Sequence, residues 1–283
     1  MKFLKILILP ALALCASLAF AAEIDRSGGP YVPTPSTVVE AMLKHAGVGP
    51  KDFVIDLGSG DGRIVLTAVT LFKAAGGVGV DIDQELVDLA NASAKKQGVA
   101  DRTRFLRQDV READLGRASV LTLYLLPGMM TTLRTKLLAE LKPGSRIVSH
   151  DFGFDQWKPD RSITIETNEK YDMTGTWTSD IHLWIVPAQV AGAWRGKWSG
   201  KQGEEFQLDI RQGFQYFEGK LARNGRNAEV KDGRINGTQF AFSVQGENGR
   251  RERYSATVDR GEMSGEVRDG ETVTARWSAT RVP

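Results

Sequence analysis

The stretch Val54-Ile55-Asp56-Leu57-Gly58-Ser59-Gly60-Asp61-Gly62-Arg63 decides the fold. The run from Phe53 to Leu57 has the continuous apolar character of a buried strand, broken only by an acid near its end. It passes directly into glycines at alternate positions, and a helical pattern beginning Arg63-Ile64-Val65-Leu66 follows. A strand, a glycine turn and a helix make the first half of a βαβ unit. In an open α/β sheet the ligand sits beyond the carboxyl ends of the strands, where the strand order reverses. Glycines at that place let the backbone approach a ligand with no Cβ in the way.

The same rhythm continues outward. Thr34 followed by Pro35 predicts an N-cap and a first helical position, opening a helix that Gly47 closes. RIVLTAVTLFKAAG (63–76) predicts a helix ended by Gly76, VGVDI (78–82) a strand, and QELVDLANASAKKQG (84–98) a helix ended by Gly98. TRFLRQD (103–109) and SVLTLYLL (119–126) predict the next two strands. The helix MMTTLRTKLLAEL (129–141) stops at Lys142-Pro143-Gly144, and SRIVSHDF (145–152) predicts a fifth strand. Alternation of this kind predicts an α/β class domain, a doubly wound, Rossmann-like parallel sheet. SITIETN (162–168) and DIHLWIVP (180–187) predict two more strands with no helix between them, a late hairpin on the sheet edge.

After Pro187 the pattern changes. Alternating runs such as Phe206/Leu208/Ile210, Phe240/Phe242/Val244 and Val273/Ala275/Trp277 are separated by Asn224-Gly225, Asp232-Gly233, Asn236-Gly237, Asn248-Gly249 and Asp269-Gly270. About eight strands predict a small antiparallel all-β barrel or sandwich over residues 190–283. The Rossmann-like domain then occupies residues 22–189.

The N-terminus reads differently again. Lys2 and Lys5 precede an apolar stretch from Ile6 to Phe20 and the small-x-small triplet Ala19-Phe20-Ala21. This is the pattern of a secretory signal over residues 1–21, cleaved before Ala22 or retained as an anchor, and it predicts an exported, periplasm-facing domain. Removing residues 1–21 takes away Cys15 and two lysines but no acid. The 37 Lys+Arg fall to 35 against 35 Asp+Glu, so the remaining chain is neutral and nothing in its charge calls for a nucleic acid. It has no cysteine left for a disulfide and no His/Cys cluster for a metal.

The glycine loop selects among ligands. A dinucleotide fingerprint G-x-G-x-x-G places its third glycine at position 63, which is Arg63. The observed D-x-G-x-G-x-G, with Asp56 at the strand end, suits a cationic sulfonium with an amino-acid tail better than a pyrophosphate, which prefers unpaired amides without a nearby carboxylate. Asp81 ends the second strand, where a carboxylate takes both ribose hydroxyls in a bidentate contact. Asp109 ends the third, within reach of an adenine amino group.

With these blocks in view, residues 30–187 resemble the class I, seven-strand S-adenosylmethionine-dependent methyltransferases. PYVPTPSTVVEAML, VIDLGSGDGRI, VGVDID, LTLYLLP and LKPGSRIVSHDF, in this order, are similar to the protein-lysine methyltransferases acting on the ATP synthase c-subunit and their bacterial relatives. The resemblance implies S-adenosylmethionine as cofactor and a protein lysine as acceptor. It implies that Asp56, Gly58, Ser59 and Gly60 wrap the methionine part, Asp81 the ribose and Asp109 the adenine. It further implies that Tyr31, Val32, Pro33 and Thr34 form a loop over the cofactor. Ser59 stands where the family more usually has cysteine; the export pattern and the appended β domain are also departures.

Methyl transfer from a sulfonium is an in-line displacement that needs alignment above all, and a lysine nucleophile must be neutral, which a dry aromatic channel favours. Tyr124 is the candidate lining that channel, with His150, Asp151, Phe152 and Phe154 completing its wall. Arg63 has two readings, a surface pair with Asp61 or Asp83 and a role in orienting the cofactor carboxylate. The chain has no Asn-Pro-Pro-Tyr-type motif of amino methylation on bases and no Gly-x-Ser-x-Gly elbow. Two other readings stay open: an exported, non-catalytic nucleoside-binding or scaffold protein, and a protein whose β domain does the work through a recognition face of Trp194, Trp198 and Trp277.

Overall fold

A computed structural model describes residues 28–199, 205–246 and 249–282; the expected signal over residues 1–21 lies outside them. The first sheet contains β1 (Phe53–Leu57), β2 (Gly76–Asp81), β3 (Thr103–Arg107), β4 (Val120–Leu123), β5 (Arg146–His150), β6 (Arg161–Glu166) and β7 (Thr178–Ile185). Helices α1 (Ser36–His45), α2 (Arg63–Thr70), α3 (Gln84–Lys96), α4 (Pro127–Glu140) and α5 (Asn168–Thr174) connect or flank these strands. The strand order is β3-β2-β1-β4-β5-β7-β6, with β1 to β5 parallel and β7 antiparallel to both neighbours. The order reverses between β1 and β4, so the switch-point crevice opens beyond Leu57 and Leu123.

Each face of the sheet is covered. Val38, Met42 and Leu43 of α1 and Val65, Ala68 and Val69 of α2 bury one face with Ala90 and Ala94 of α3. Met130, Leu133 and Leu137 of α4, with Leu115, Trp157 and Trp184, bury the other. Burying each large apolar side chain contributes roughly 1.5–3 kcal/mol, so these two layers fix where the strand ends lie.

Three local expectations are corrected. Helix α1 starts at Ser36 with Pro35 at its N-cap, and Thr34 is turned inward, 4% exposed. Its Oγ1 lies 3.4 Å from His150 Nδ1, and the Ser36 amide donates instead to Glu169 Oε2 at 2.9 Å. Helix α2 stops at Thr70, well before Gly76, because Lys73 takes a positive φ of 61° and the Ala74 amide returns to the Ala68 carbonyl. Between β6 and β7 lies α5, and β7 is inserted between β5 and the edge strand β6, so the last two strands are not a simple edge hairpin.

Strands β8 (Gly192–Trp198), β9 (Glu205–Gly213), β10 (Tyr216–Arg223), β11 (Arg226–Asn236), β12 (Gln239–Gln245), β13 (Arg251–Asp259), β14 (Glu262–Asp269) and β15 (Thr272–Arg281) close into an antiparallel barrel, β15 pairing with β8. Its interior holds Trp194, Phe206, Phe217, Phe240, Tyr254 and Trp277. Trp194 and Trp277 are 0% and 2% exposed and Trp198 is 9% exposed, so these tryptophans fill the barrel and do not form a recognition face. Asp232-Gly233 is a bulge inside β11, where the register with β12 shifts, and not a turn.

The barrel docks on the amino ends of the parallel strands. Ala188 N donates to Gly237 O at 2.8 Å, Gln215 Nε2 to Lys158 O at 2.7 Å, and Arg234 pairs with Asp160 at 2.9 Å. Phe214 stacks on Trp157 at 5.6 Å between ring centroids. Among the described residues no helix is long and apolar enough to cross a membrane.

Candidate functional site

The crevice at the carboxyl ends of β1, β2 and β4 is lined by the loop Tyr31–Thr34, the glycine loop, Asp56, Asp81, Asp109 and Tyr124. Every residue expected at the cofactor from the sequence therefore borders one cavity. None of the described barrel residues lines it.

Gly58, Gly60 and Gly62 all have positive φ, at 79°, 51° and 80°. A Cβ on Gly60 would lie 2.5 Å from Tyr31 Cε2, and one on Gly62 would lie 2.6 Å from Phe105 Cε1. The turn thus needs glycine for conformation and for space at once. Four backbone amides of this turn are already used. Gly58 N and Ser59 N both donate to Val80 O at 2.9 Å, and Gly62 N donates to Ser59 O at 2.9 Å. Gly60 N donates to Asp81 Oδ2 at 2.8 Å. A pyrophosphate would meet occupied donors and the carboxylates of Asp56, Asp61 and Asp81, whereas a cationic ligand meets acceptors.

Asp56 is 1% exposed and accepts from Thr122 Oγ1 at 2.6 Å, across the β1–β4 pairing in which the two residues are register partners. Burial pushes its carboxyl up to about 7 despite the Thr122 bond, and Asp81 and Asp61 push it further in the same direction. Asp81 accepts from Asp83 N at 3.0 Å as well as from Gly60 N, so its two oxygens hold the glycine loop and the start of α3 while bordering the cavity. Ser59 Oγ is buried without a hydrogen-bond partner and faces β2, where a Cβ on Gly79 would lie 2.5 Å from it. Asp109 caps the 3-10 turn Val110–Glu112 by accepting from Arg111 N at 2.8 Å. It also holds the Arg111 guanidinium, which keeps its carboxyl below the usual range.

A latch not read from the sequence holds the covering loop. Arg63 forks onto Asp61, with Nη2 to Oδ2 at 2.7 Å, and donates through Nη1 to Thr34 O at 2.9 Å. Burial raises the Asp61 carboxyl, but the Arg63 hydrogen bonds overcome it and hold the group low. Tyr31 lies over Gly60 beside this pair, its hydroxyl pKa raised by burial and by Asp61. Of the readings weighed for Arg63 the structure shows the pair with Asp61; its grip on the Thr34 carbonyl has no signature in a sequence 29 residues apart.

At the other end of the cavity Tyr124 packs on His150, ring centroids 4.0 Å apart, and on Phe152 at 6.2 Å. Phe154 belongs to the apolar layer with Trp157 and Trp184 instead. His150 is 1% exposed and bonds Ser179 Oγ through Nε2 at 3.0 Å. Burial, against the pull of the Asp151 charge and aided by the Lys170 charge, pushes it down to about 4, so the ring is neutral at physiological pH and no candidate for an imidazolium. Burial, followed by the Asp151 charge, pushes the Tyr124 hydroxyl up to about 12. Asp151 itself has a φ of 59° and accepts Lys170 Nζ on both oxygens at 2.7 Å. Lys170, 6% exposed, also donates to Thr178 O. Neither α5 nor its buried lysine was visible as part of the site from sequence. Among the described residues no three His, Cys, Asp or Glu side chains converge to hold a metal.

Comparison with known proteins now resolves the family. The model of the ANTKMT methyltransferase domain matches residues 56–161. A protein-lysine N-methyltransferase of Saccharolobus islandicus is 40% identical over 157 residues, which take in 56% of this chain and 93% of that protein. The chain belongs to the protein-lysine N-methyltransferase family. This methyltransferase is also 34% identical to the ATP synthase c-subunit lysine N-methyltransferase of Xenopus laevis, over 51% of this chain and 63%, less than two thirds, of the frog protein. Among solved structures, an RNA methyltransferase from Salinibacter ruber in complex with S-adenosyl-L-homocysteine is 43% identical, with a TM-score of 0.50 over 56% of this chain and 96% of that one. None of these matches extends over the whole chain. S-adenosylmethionine is the cofactor, and the occupied amides, the buried Asp56 and the glycine cradle fit it. When bound it supplies an electrophilic methyl group on sulfur. Membership of an enzyme family weighs against the scaffold reading.

Proposed function

We propose that this methyltransferase transfers its methyl group to the ε-amine of a protein lysine. The observation that carries the reading is the wall at the end of β4. The Tyr124 ring borders the cofactor cavity, backed by a neutral histidine and Phe152, with the Asp151 charge near its hydroxyl. A lysine amine entering there leaves water for aromatic surface, which favours its neutral, nucleophilic form, and the packed ring holds it in line with the methyl–sulfur bond. In this reading Asp56, Gly58, Ser59 and Gly60 hold the methionine part, Asp81 the ribose and Asp109 the adenine, while Tyr31 and Thr34 close over them.

An RNA acceptor is the second reading, because the Salinibacter structure is described as an RNA methyltransferase. The acids that rim this cavity oppose a polyphosphate backbone, which binds through cations. The deciding experiment supplies radiolabelled S-adenosylmethionine with a lysine-rich protein, the same protein acetylated on its lysines, and structured RNA. Label on the unmodified protein alone supports the proposal; label on RNA alone overturns it. Tyr124→Phe should keep most of the rate and Tyr124→Ala should lose about 10²-fold in kcat, as misplacement of reactants does.

The reading also includes export. Lys2, Lys5, the apolar Ile6–Phe20 stretch and Ala19-Phe20-Ala21 support it, and N-terminal sequencing of the protein recovered from cell fractions tests it: a chain starting at Ala22 outside the cytoplasm is expected. Residues near 190 divide the transfer unit from the barrel in the same reading.

A further inference from the structure

Three exposed aromatic side chains occur on the methyltransferase half among the described residues, and all three sit at the carboxyl end of the sheet. Tyr31 covers the glycine loop. Tyr171 on α5 and Trp177 just before β7 stack face to face, ring centroids 4.0 Å apart at 18°, while remaining 44% and 51% exposed. The register fixes their location: β7 begins where β5 ends, His150 pairing with Ile181, so α5 and Trp177 stand beside the carboxyl terminus of β5.

This segment is tied to both parts of the site. Its start is bonded to the entry of α1, directly after the covering loop, through Ser36 N to Glu169 Oε2 at 2.9 Å and Thr37 Oγ1 to Thr167 Oγ1 at 3.0 Å. Its middle is bonded to Asp151 through Lys170, and the Asp151 charge lies beside the Tyr124 hydroxyl. An aromatic pair left in water has no folding role that explains its exposure, and clustered exposed aromatics mark contact surfaces.

The segment that carries the pair is acidic on its exposed side. From residue 162 to residue 181 the sequence contains a single base, Lys170, and that one is buried on Asp151. Glu166, Glu169, Asp172 and Asp180 are exposed on the same segment. We infer that Tyr171 and Trp177, with this acidic surround, form the docking lip for a basic, lysine-bearing segment of the substrate protein. The flat aromatic faces take the aliphatic stems and cationic heads of lysine or arginine, and the carboxylates exclude acidic and phosphate-bearing partners. The inference rests on the lysine-transfer reading and gives it a substrate class: lysines flanked by further bases.

The test measures peptide binding and methylation separately, with the full chain saturated by S-adenosylhomocysteine for binding and S-adenosylmethionine for turnover. The probes are a short peptide with one lysine flanked by arginines, the same peptide flanked by glutamates, and the arginine-flanked peptide with norleucine for lysine. The arginine-flanked peptide should bind about tenfold tighter than the glutamate-flanked one, less so in high salt. Trp177→Ala should weaken it by about tenfold, as loss of an interface tryptophan does, with Trp177→Phe recovering part and S-adenosylhomocysteine affinity unchanged. Equal binding of both flanked peptides, or an unaltered affinity in Trp177→Ala and Tyr171→Ala, overturns the lip. Binding with these dependences but no methyl on the lysine keeps the lip and overturns lysine transfer. Methylation indifferent to flank and to Trp177 does the reverse.

Discussion

Asp81 gives the sharpest check on the cofactor site, because its carboxylate has two jobs. One oxygen accepts from Gly60 N at 2.8 Å and the other from Asp83 N at 3.0 Å, and the same group borders the cavity where the ribose is expected. Replacement by alanine removes acceptors from two backbone amides. Each net hydrogen bond is worth about 0.5–1.5 kcal/mol, so Asp81→Ala should cost about 1–3 kcal/mol of stability even before ligand is considered. For a unit of this size that is a fall in Tm of about 2–4 °C per kcal/mol. Ribose hydroxyls facing a missing acceptor lose about 1–3 kcal/mol of binding, which is roughly five- to a hundredfold in Kd. Asp81→Asn separates the two effects. Its carbonyl oxygen still serves one amide, so the stability loss should halve, while the bidentate contact is broken and affinity falls by about tenfold. Calorimetric titration with S-adenosylmethionine and thermal melts of both variants give the comparison. Wild-type affinity in Asp81→Asn would remove Asp81 from the ribose contact and leave it a loop anchor.

Other outcomes follow from the same geometry. Gly62→Ala places a methyl 2.6 Å from Phe105 Cε1 and 2.8 Å from Ala90 Cβ at a φ of 80°, so thermal melting should show a loss of about 2–4 kcal/mol; a stable variant would mean that the loop can be rebuilt. Asp56, raised to about 7, is the ionised partner that a cationic cofactor prefers, so S-adenosylmethionine affinity should climb as pH rises through about 7. The sign for the free protein is opposite: with its folded pKa above the unfolded value, Asp56 contributes stability below about 4 that is lost as pH rises through about 7. Asp56→Asn should flatten both profiles, and titrations across that range read it. Lys170→Met leaves Asp151, with a side chain one-fifth exposed, without its cation, and should destabilise the fold by about 2–4 kcal/mol; a His150 pKa in NMR titration that stays as low as in the wild type would show that Lys170 does not help to depress it.

What could be read from the sequence was what is local. The strand, glycine turn and helix from Phe53 to Thr70 follow from residues adjacent in the chain, and the acids at the ends of β1, β2 and β3 announce themselves by position. The barrel was legible for the same reason. Its strands alternate buried and exposed residues, and Asn224-Gly225 supplies the two positive φ values, 49° and 73°, that a tight hairpin turn requires. Helix α5 was hidden because NEKYDMT is a short helix with no apolar period, held by tertiary bonds from Lys170 and Glu169. Lys170 in isolation reads as a surface lysine; only the positive-φ turn at Asp151 brings a carboxylate beneath it. Arg63 was weighed against its near neighbours, yet part of its function is the Thr34 carbonyl, which no spacing rule connects to it. Asp109 shows the limit from the other side: the capping bond and the Arg111 fork account for its position without a ligand, so its adenine contact needs its own test.

The two sheets are placed so that neither obstructs the other. Barrel contacts fall on Gly144, Lys158 and Asp160, near the starts of β5 and β6, whereas the cofactor cavity and the aromatic lip lie past the ends of β1, β4 and β5. A parallel sheet is a rigid spacer here, its hydrogen bonds holding the two ends apart at about 3.3 Å per residue. The described part of the barrel is therefore not a lid, and its packed aromatic interior leaves the outward face of its strands as the surface it presents. Asp160, whose side chain is 6% exposed, joins the halves by accepting from Arg234 of the barrel and from Ile185 N of the last sheet strand. That shared carboxylate fixes the barrel to the sheet without touching the chemistry. Among the described residues the barrel leaves the carboxyl end clear, so its described surface bears on an acceptor by holding a partner and not by lining the transfer site.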